Sequence, residues 1–375
     1  MNQSSSSPVE SSEVLSDFCW ALITKGDDSI RVLVTGAAGF IGSAVTRALV
    51  NRGIHVVALL QPHADSANLD GLRIERVYAD LRDSSKVDRA VAGCQAVMHV
   101  AALYRFWLRD PEEFYEVNVG GTVNVLKAAR KAGCERVVYT STVGTIGLDR
   151  DGMAVDESSF ARVHHLFGWY KQSKYVAEHE VLRAAAEGLP VVLVHPTLPL
   201  GPGDRSPTPT GKIVLDFLNG RMPAYVDTAL NVVDVDDVAS GHLLAMEKGA
   251  PGRSYILGGE NLEFRQILEI LASITGLRAP RYRIPRALAL AIAYASYGLE
   301  GMVLRKEPSV PLEGTLMSTT RMVFDDTRAR QELGYTSRPA IEAIRRSVEW
   351  FVDHGYVRKE RVGKMRFEQV RSGNL

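Results

Sequence analysis

The chain has 375 residues, 44 basic against 44 acidic side chains, 46% hydrophobic and 23% charged residues. The balanced charge excludes a global field steering it toward nucleic acid, and the length allows one large α/β unit with an appended region. No apolar run reaches the roughly 18–20 residues needed to span a bilayer, and three cysteines without a CxxC (Cys19, Cys94, Cys134) point to a reducing, cytoplasmic setting.

Residues 1–29 open with Met1, Asn2, Gln3 and a serine run and lack a positive n-region, so they read as a flexible N-terminal extension. Residues 30–34 are apolar apart from Arg31, as expected of a strand buried on both faces of a parallel sheet. A glycine turn follows, then a helix over 43–50. Further strands are expected at 55–60, 74–78, 95–101, 136–140 and 190–195, and helices at 84–92, 111–132 and 169–186. This alternation predicts a Rossmann-type doubly wound parallel sheet over 30–196. Past Pro196 the rhythm changes at a Gly/Pro-rich loop, 196–211. Residues 197–355 are expected to form a smaller C-terminal substrate-binding lobe, with some segments returning to the sheet. Amphipathic stripes at Phe264, Ile267, Leu268, Leu271 and Ile274, and at Ile341, Ile344, Val348 and Phe351, mark two of its helices. The end, 356–375, is a basic tail.

The turn reads Thr35, Gly36, Ala37, Ala38, Gly39, Phe40, Ile41, Gly42. Directly after a buried strand, such a turn offers free helix-start amides to a pyrophosphate, and glycine permits the close approach. The segment Leu59, Leu60, Gln61, Pro62 after the second strand carries no acid for ribose hydroxyls, which leans the cofactor from NAD toward NADP. Asp80 and Leu81 after the third strand are placed to meet the adenine. Downstream, Tyr170 is followed by Lys174, a pairing that no other of the 13 tyrosines has. On a helix both side chains share a face, where an ammonium can lower a tyrosine pKa toward the range of a general acid or base. Thr140, Ser141 and Thr142 close the fifth strand with hydroxyls suited to the same substrate oxygen. No HExxH or paired Cys/His spacing suggests a metal, His164 and His165 notwithstanding.

In this order the motifs resemble the extended short-chain dehydrogenase/reductases: nucleotide-sugar epimerases, dehydratases and dihydroflavonol-reductase-like enzymes. The match runs from the TGAAGFIG turn through Asp80-Leu81, His99 to Ala102, Asn118, Ser141-Thr142 and Tyr170…Lys174 to 233–238 and 332–335. The resemblance implies Tyr170 as catalytic acid/base and Lys174 as its pKa-lowering partner and ribose holder. It places the active-site hydroxyl on Thr142 and further cofactor contacts at Ala101, Ala102 and Pro196. It gives Asn118 a supporting role. Stretches such as Tyr104 to Trp107, 207–212 and 255–261 are most similar to the hopanoid-associated sugar epimerase group. His195-Pro196-Thr197 with Gly201-Pro202 is instead closer to the Arg-Pro…Gly-Pro loop of the reductases, His195 replacing the arginine.

Two functions stay open: hydride transfer at a secondary alcohol/carbonyl of a sugar-containing or hopanoid-related small molecule, by an epimerase or a reductase, and a non-catalytic nucleotide sensor on the same fold. Tyr104, Arg105 and Trp107 either line the substrate pocket or form a packed loop. The basic tail beside the apolar 287–299 segment suits peripheral membrane contact, the alternative being a solvated tail and a core helix. A homodimer through two helices is what the resemblance implies.

Overall fold

The computed structural model describes residues 30–149, 151–159, 161 and 166–366. The extension 1–29, His164, His165 and the tail end 367–375 lie outside them. β1 (Arg31–Thr35) runs buried into the glycine turn, and α1 (Phe40–Asn51) begins at once. The helix therefore starts three residues before 43, so Phe40, Ile41 and Gly42 form its first turn. β2 (His55–Leu60), β3 (Glu75–Tyr78), α2 (Ser84–Val91) and β4 (Ala96–His99) follow. β4 stops short of residue 101 because Thr35 Oγ1 accepts hydrogen bonds from both Val100 N and Ala101 N, each at 3.1 Å, and draws the chain out of the ladder.

The helix expected over 111–132 runs unbroken from Glu112 to Ala132 but widens in its middle. It consists of α3 (Glu112–Tyr115), a π turn at Glu116–Gly120 and α4 (Gly121–Ala132). The wider turn lets Asn118 point inward: its Oδ1 accepts from Leu103 N at 2.7 Å and its Nδ2 donates to Ser173 Oγ at 2.9 Å. β5 (Arg136–Thr140), α5 (Trp169–Ala186) and β6 (Val191–Pro196) complete the six expected strands.

A seventh strand comes from beyond the Gly/Pro loop. After β7 (Leu198–Leu200), α6 (Pro209–Leu218), β8 (Ala224–Tyr225), β9 (Ala229–Asp234) and α7 (Val235–Lys248), β10 (Ser254–Leu257) pairs in parallel with β6. The sheet order is β3-β2-β1-β4-β5-β6-β10, with every pairing parallel. Tyr255, Ile256 and Leu257 are buried there, and α7 packs on α1, so residues 235–257 belong physically with the first unit. Chain order thus reverses between β1 and β4, the place where open α/β sheets bind ligands.

The smaller lobe contains β11 (Glu260–Glu263), α8 (Phe264–Thr275), β12 (Tyr282–Arg283), α9 (Arg286–Ser296), α10 (Leu312–Ser318), α11 (Ala340–Asp353) and α12 (Lys359–Val362). β9 lies between β7 and β11 in a three-stranded sheet. The predicted stripes meet in one core through Ile267, Leu268, Leu271 and Ile274 from α8 and Ile344, Val348 and Phe351 from α11. The 287–299 segment is not a core helix: only Ala289 and Ala293 of it are buried.

Candidate active site

The cofactor cradle sits at the chain-order reversal. Gly36 has φ +65, and a Cβ there would lie 2.8 Å from Ala101 Cα, so the turn and the loop after β4 touch backbone to backbone. A Cβ on Gly42 would lie 2.1 Å from Gly36 O. No side chain caps α1, which leaves its first-turn amides available to an anion. Gly39, Phe40, Ile41, Ala101 and Ala102 are thereby gathered around one edge. The residues fit a dinucleotide pyrophosphate. Asn68 Nδ2 fastens the turn from behind, donating to Ala38 O at 3.2 Å and Gly203 O at 2.8 Å.

Asp80 stands at the end of β3, but Arg82 already engages its carboxylate through Nε and Nη2, the latter at 2.7 Å. That side-chain hydrogen bonding, opposed by partial burial, holds its carboxyl below the usual range. Leu81 packs on Gly121, where a Cβ would be 2.8 Å from Leu81 Cβ. Pro196 ends β6 opposite Leu257.

Tyr170 and Lys174 share the inner face of α5, both buried. Burial pushes the Tyr170 phenol up, while the Thr142 hydroxyl beside it acts in the opposite sense. Thr142 itself starts a short 3-10 turn and accepts from Gly144 N at 3.1 Å. The Tyr104 ring lies on the Tyr170 ring, centroids 4.7 Å apart. Tyr104 therefore belongs to the site.

Lys174 is anchored to β5. Its Nζ donates to Tyr139 Oη and Thr140 O, each at 2.8 Å, and stands 4.3 Å from the Tyr139 ring centroid. It makes no hydrogen bond to Tyr170 in this structure. A buried amine takes the acceptors within reach, and these lie on β5 beneath the helix. Burial brings Lys174 down to about 7, against the opposing pull of Glu178. With two of its three protons committed as an ammonium, one donor remains for a ligand.

Behind Lys174 runs a buried chain of hydrogen bonds. Thr122 Oγ1 donates to Asn118 O at 2.6 Å, so it accepts from His99 Nε2 at 2.9 Å. His99 Nδ1 then accepts from Thr35 Oγ1 at 2.8 Å, which fixes the tautomer. Burial and the nearby Lys174 bring His99 down to about 3, so it is neutral. Tyr139, also beside Thr122, joins this chain to Lys174. The end of β1, where the glycine turn begins, and Lys174 are thus joined by one buried network.

Two carboxylates complete the surroundings. Glu178, one turn beyond Lys174, accepts from Ser141 Oγ at 2.5 Å and Thr145 Oγ1 at 2.8 Å and lies 3.2 Å from His195 Nε2. Burial alone would raise its pKa, but His195 and the two hydroxyls hold it at about 2. His195 thus serves as the partner of Glu178. Glu313 reaches across from α10 to the start of α5, beside Lys171. A Cβ on Gly168 would lie 2.0 Å from its Cδ, so the carboxyl rests on the Gly168 Cα. Burial pushes Glu313 up to about 8, with Lys171 opposing. The motif reading missed Tyr139, Glu178 and Glu313. Only Glu178 had a local signal, the 170, 174, 178 spacing along one helix face.

Comparison with known proteins agrees with this geometry. The profile of the NAD dependent epimerase/dehydratase family matches residues 32–258. A Synechocystis sp. protein bearing the name dihydroflavonol 4-reductase is 45% identical over 331 residues, 87% of this chain and 96% of its own length. Sterol demethylase protein B of Methylococcus capsulatus is 37% identical over 329 residues, 88% of this chain and all of its own. The crystal structure of gox2253 superposes with a TM-score of 0.79 at 42% identity, covering 88% of this chain and 100% of that one. An unbroken nucleotide cradle beside Tyr170, Lys174 and Thr142, in a chain so related, identifies an NAD(P)-dependent enzyme of the NAD dependent epimerase/dehydratase family.

Proposed function

We propose that the chain is a reductase or dehydrogenase that transfers hydride at a secondary alcohol/carbonyl carbon of a bulky apolar, ring-containing substrate, with Tyr170 as the acid/base. The observation that carries this reading is the Tyr170 phenol, set beside the Thr142 hydroxyl and under the Tyr104 ring, one helical turn from Lys174. The cofactor supplies or accepts the hydride. In the reducing direction Tyr170 gives its proton to the carbonyl oxygen, and Thr142 steadies that oxygen with a hydrogen bond. Lys174, as an ammonium, stabilises the phenolate left behind and offers its remaining donor to the ribose.

The rings of Tyr104 and Phe106 beside Tyr170, with Trp107 next in the chain, suit ring compounds such as those in the names of the two relatives, a dihydroflavonol and a sterol. A hopanoid-related substrate falls in the same class. For the cofactor we favour NADP: the only carboxylate in the 61–65 loop after β2 is Asp65, and Arg205 Nε pairs with it at 2.8 Å. Asp80, already bound to Arg82, is assigned to the adenine side.

The test is NADPH oxidation with polycyclic ketones, alongside heat release of any nucleotide carried through purification. Tyr170→Phe is expected to lower kcat by about 10²–10⁴ with NADPH affinity unchanged. Full activity in that variant would sink the assignment. The second reading, an epimerase, is favoured by the family's description. It requires tightly retained NAD and no net NADPH consumption.

A further inference from the structure

Residues 281–306 invert the usual pattern of a surface helix. α9 and the π turn that continues it, Tyr297–Val303, bury small residues: Ala289, Ala293 and Gly301. Their bulky apolar side chains face outward, with Leu288 50%, Ile292 46%, Leu299 60%, Met302 67% and Val303 71% exposed. A helix covering a core in water does the opposite. Between Arg286 and Arg305 the only charge is Glu300, which Ser296, Ser309 and Lys306 satisfy. Basic residues bracket the apolar face: Arg281, Arg283 and Arg286 at one end, Arg305 and Lys306 at the other. Arg283 pairs with Asp227. Among the described residues Arg281, Arg286 and Arg305 form no ion pair. Tyr282 and Tyr294 are exposed at the same face.

We infer that this face docks on an anionic lipid bilayer, with its apolar side chains in the boundary between headgroups and acyl chains. No described helix is long and apolar enough to cross a membrane, so the segment lies along the surface. Charge decides between occupants. Pairing two copies through this face would bring their arginine clusters together, whereas an anionic surface complements them. The buried side of the same segment packs toward the site. Gly301 abuts Trp107, where a Cβ would lie 3.3 Å from Nε1, and Gly314 abuts Phe106 at 3.0 Å. The Phe106 ring lies 6.1 Å from that of Tyr104, which packs at a tilt against the Tyr170 ring. A substrate drawn from the bilayer would pass beside this segment to reach these aromatic rings. The docking surface stands by itself; only this delivery route rests on the proposed reductase activity.

The test is co-sedimentation of the full-length protein with phosphatidylcholine vesicles, with and without phosphatidylglycerol, measured without turnover. Binding is expected only to the anionic vesicles and should weaken with salt. The double variant Ile292→Glu, Met302→Glu should bind about 100-fold less tightly, two large side chains having been withdrawn, with NADPH affinity unchanged. Arg281→Glu with Arg305→Glu gives a second loss by charge alone. Removal of 367–375 should leave binding in place. Wild-type protein that ignores the vesicles, Glu variants that bind as wild type, or binding lost with the tail alone would each overturn the proposal. So would a dimer that the Glu variants split while no vesicle binding is seen, since that assigns the face to a second copy. Inactive protein that still binds vesicles would fail the reductase reading alone.

Discussion

Tyr139→Phe separates the support of Lys174 from the chemistry of Tyr170. Tyr139 is fully buried, and its hydroxyl takes one of the two Lys174 hydrogen bonds at 2.8 Å. Phenylalanine keeps the ring under the ammonium and removes only the oxygen. A hydrogen bond to a charged group contributes roughly 1.5–3 kcal/mol, and the neutral amine loses less than the ammonium does. Each 1.36 kcal/mol of that difference is about one pKa unit, so Lys174 should fall by about one unit from its value near 7. Near pH 7 the ammonium would drop from about half the molecules to about a tenth, with roughly a fivefold loss in kcat/KM. The assay is kcat/KM against pH, with NADPH affinity and Tm as controls for folding. The alkaline limb should move about one pH unit toward acid. An alkaline limb in the same place in wild type and variant would refute the idea that Tyr139 sets the Lys174 charge.

Glu313→Gln tests the carboxyl under Gly168. Its folded pKa, about 8, lies above its ordinary value of 4.5, so its stabilising contribution is complete below about pH 4.5 and is lost as pH rises through 8. The glutamine variant should therefore melt above wild type by a gap that opens between those values, on the order of a few kcal/mol. A gap independent of pH would show that the carboxyl is ionised throughout. Gly42→Ala should leave the sheet intact but weaken NADPH by at least about tenfold in a fluorescence titration, because the new Cβ would lie 2.1 Å from Gly36 O inside the cradle. Unchanged affinity would mean the cofactor does not use this turn. Glu178, held at about 2 against an ordinary 4.5, contributes stability that is present above pH 4.5 and lost as pH falls toward 2. Glu178→Gln should flatten the acid limb of a Tm profile in that window.

What the sequence by itself determined was local in origin. Apolar runs at 30–34 and 55–60, the glycines at 36, 39 and 42, and Tyr170 four residues before Lys174 all express short-range geometry: strand burial, close approach of backbone, one face of a helix. Each pattern is complete within a dozen residues, so the Rossmann unit and its glycine turn could be read directly, and Tyr170 and Lys174 could be named as candidates. The tertiary structure alone decided what those groups touch. Lys174 turned to Tyr139 and Thr140, His195 found Glu178, Glu313 came from the second lobe to the start of α5, and β10 returned to extend the sheet. The apolar 287–299 run shows the same division. Its composition allowed a core helix or a membrane face, and only packing revealed that Ala289 and Ala293 point in while Leu288, Ile292, Tyr294 and Leu299 point out. A buried charge or an apolar face is satisfied by whatever element the fold brings across it, and that choice depends on chain crossings that no local spacing records.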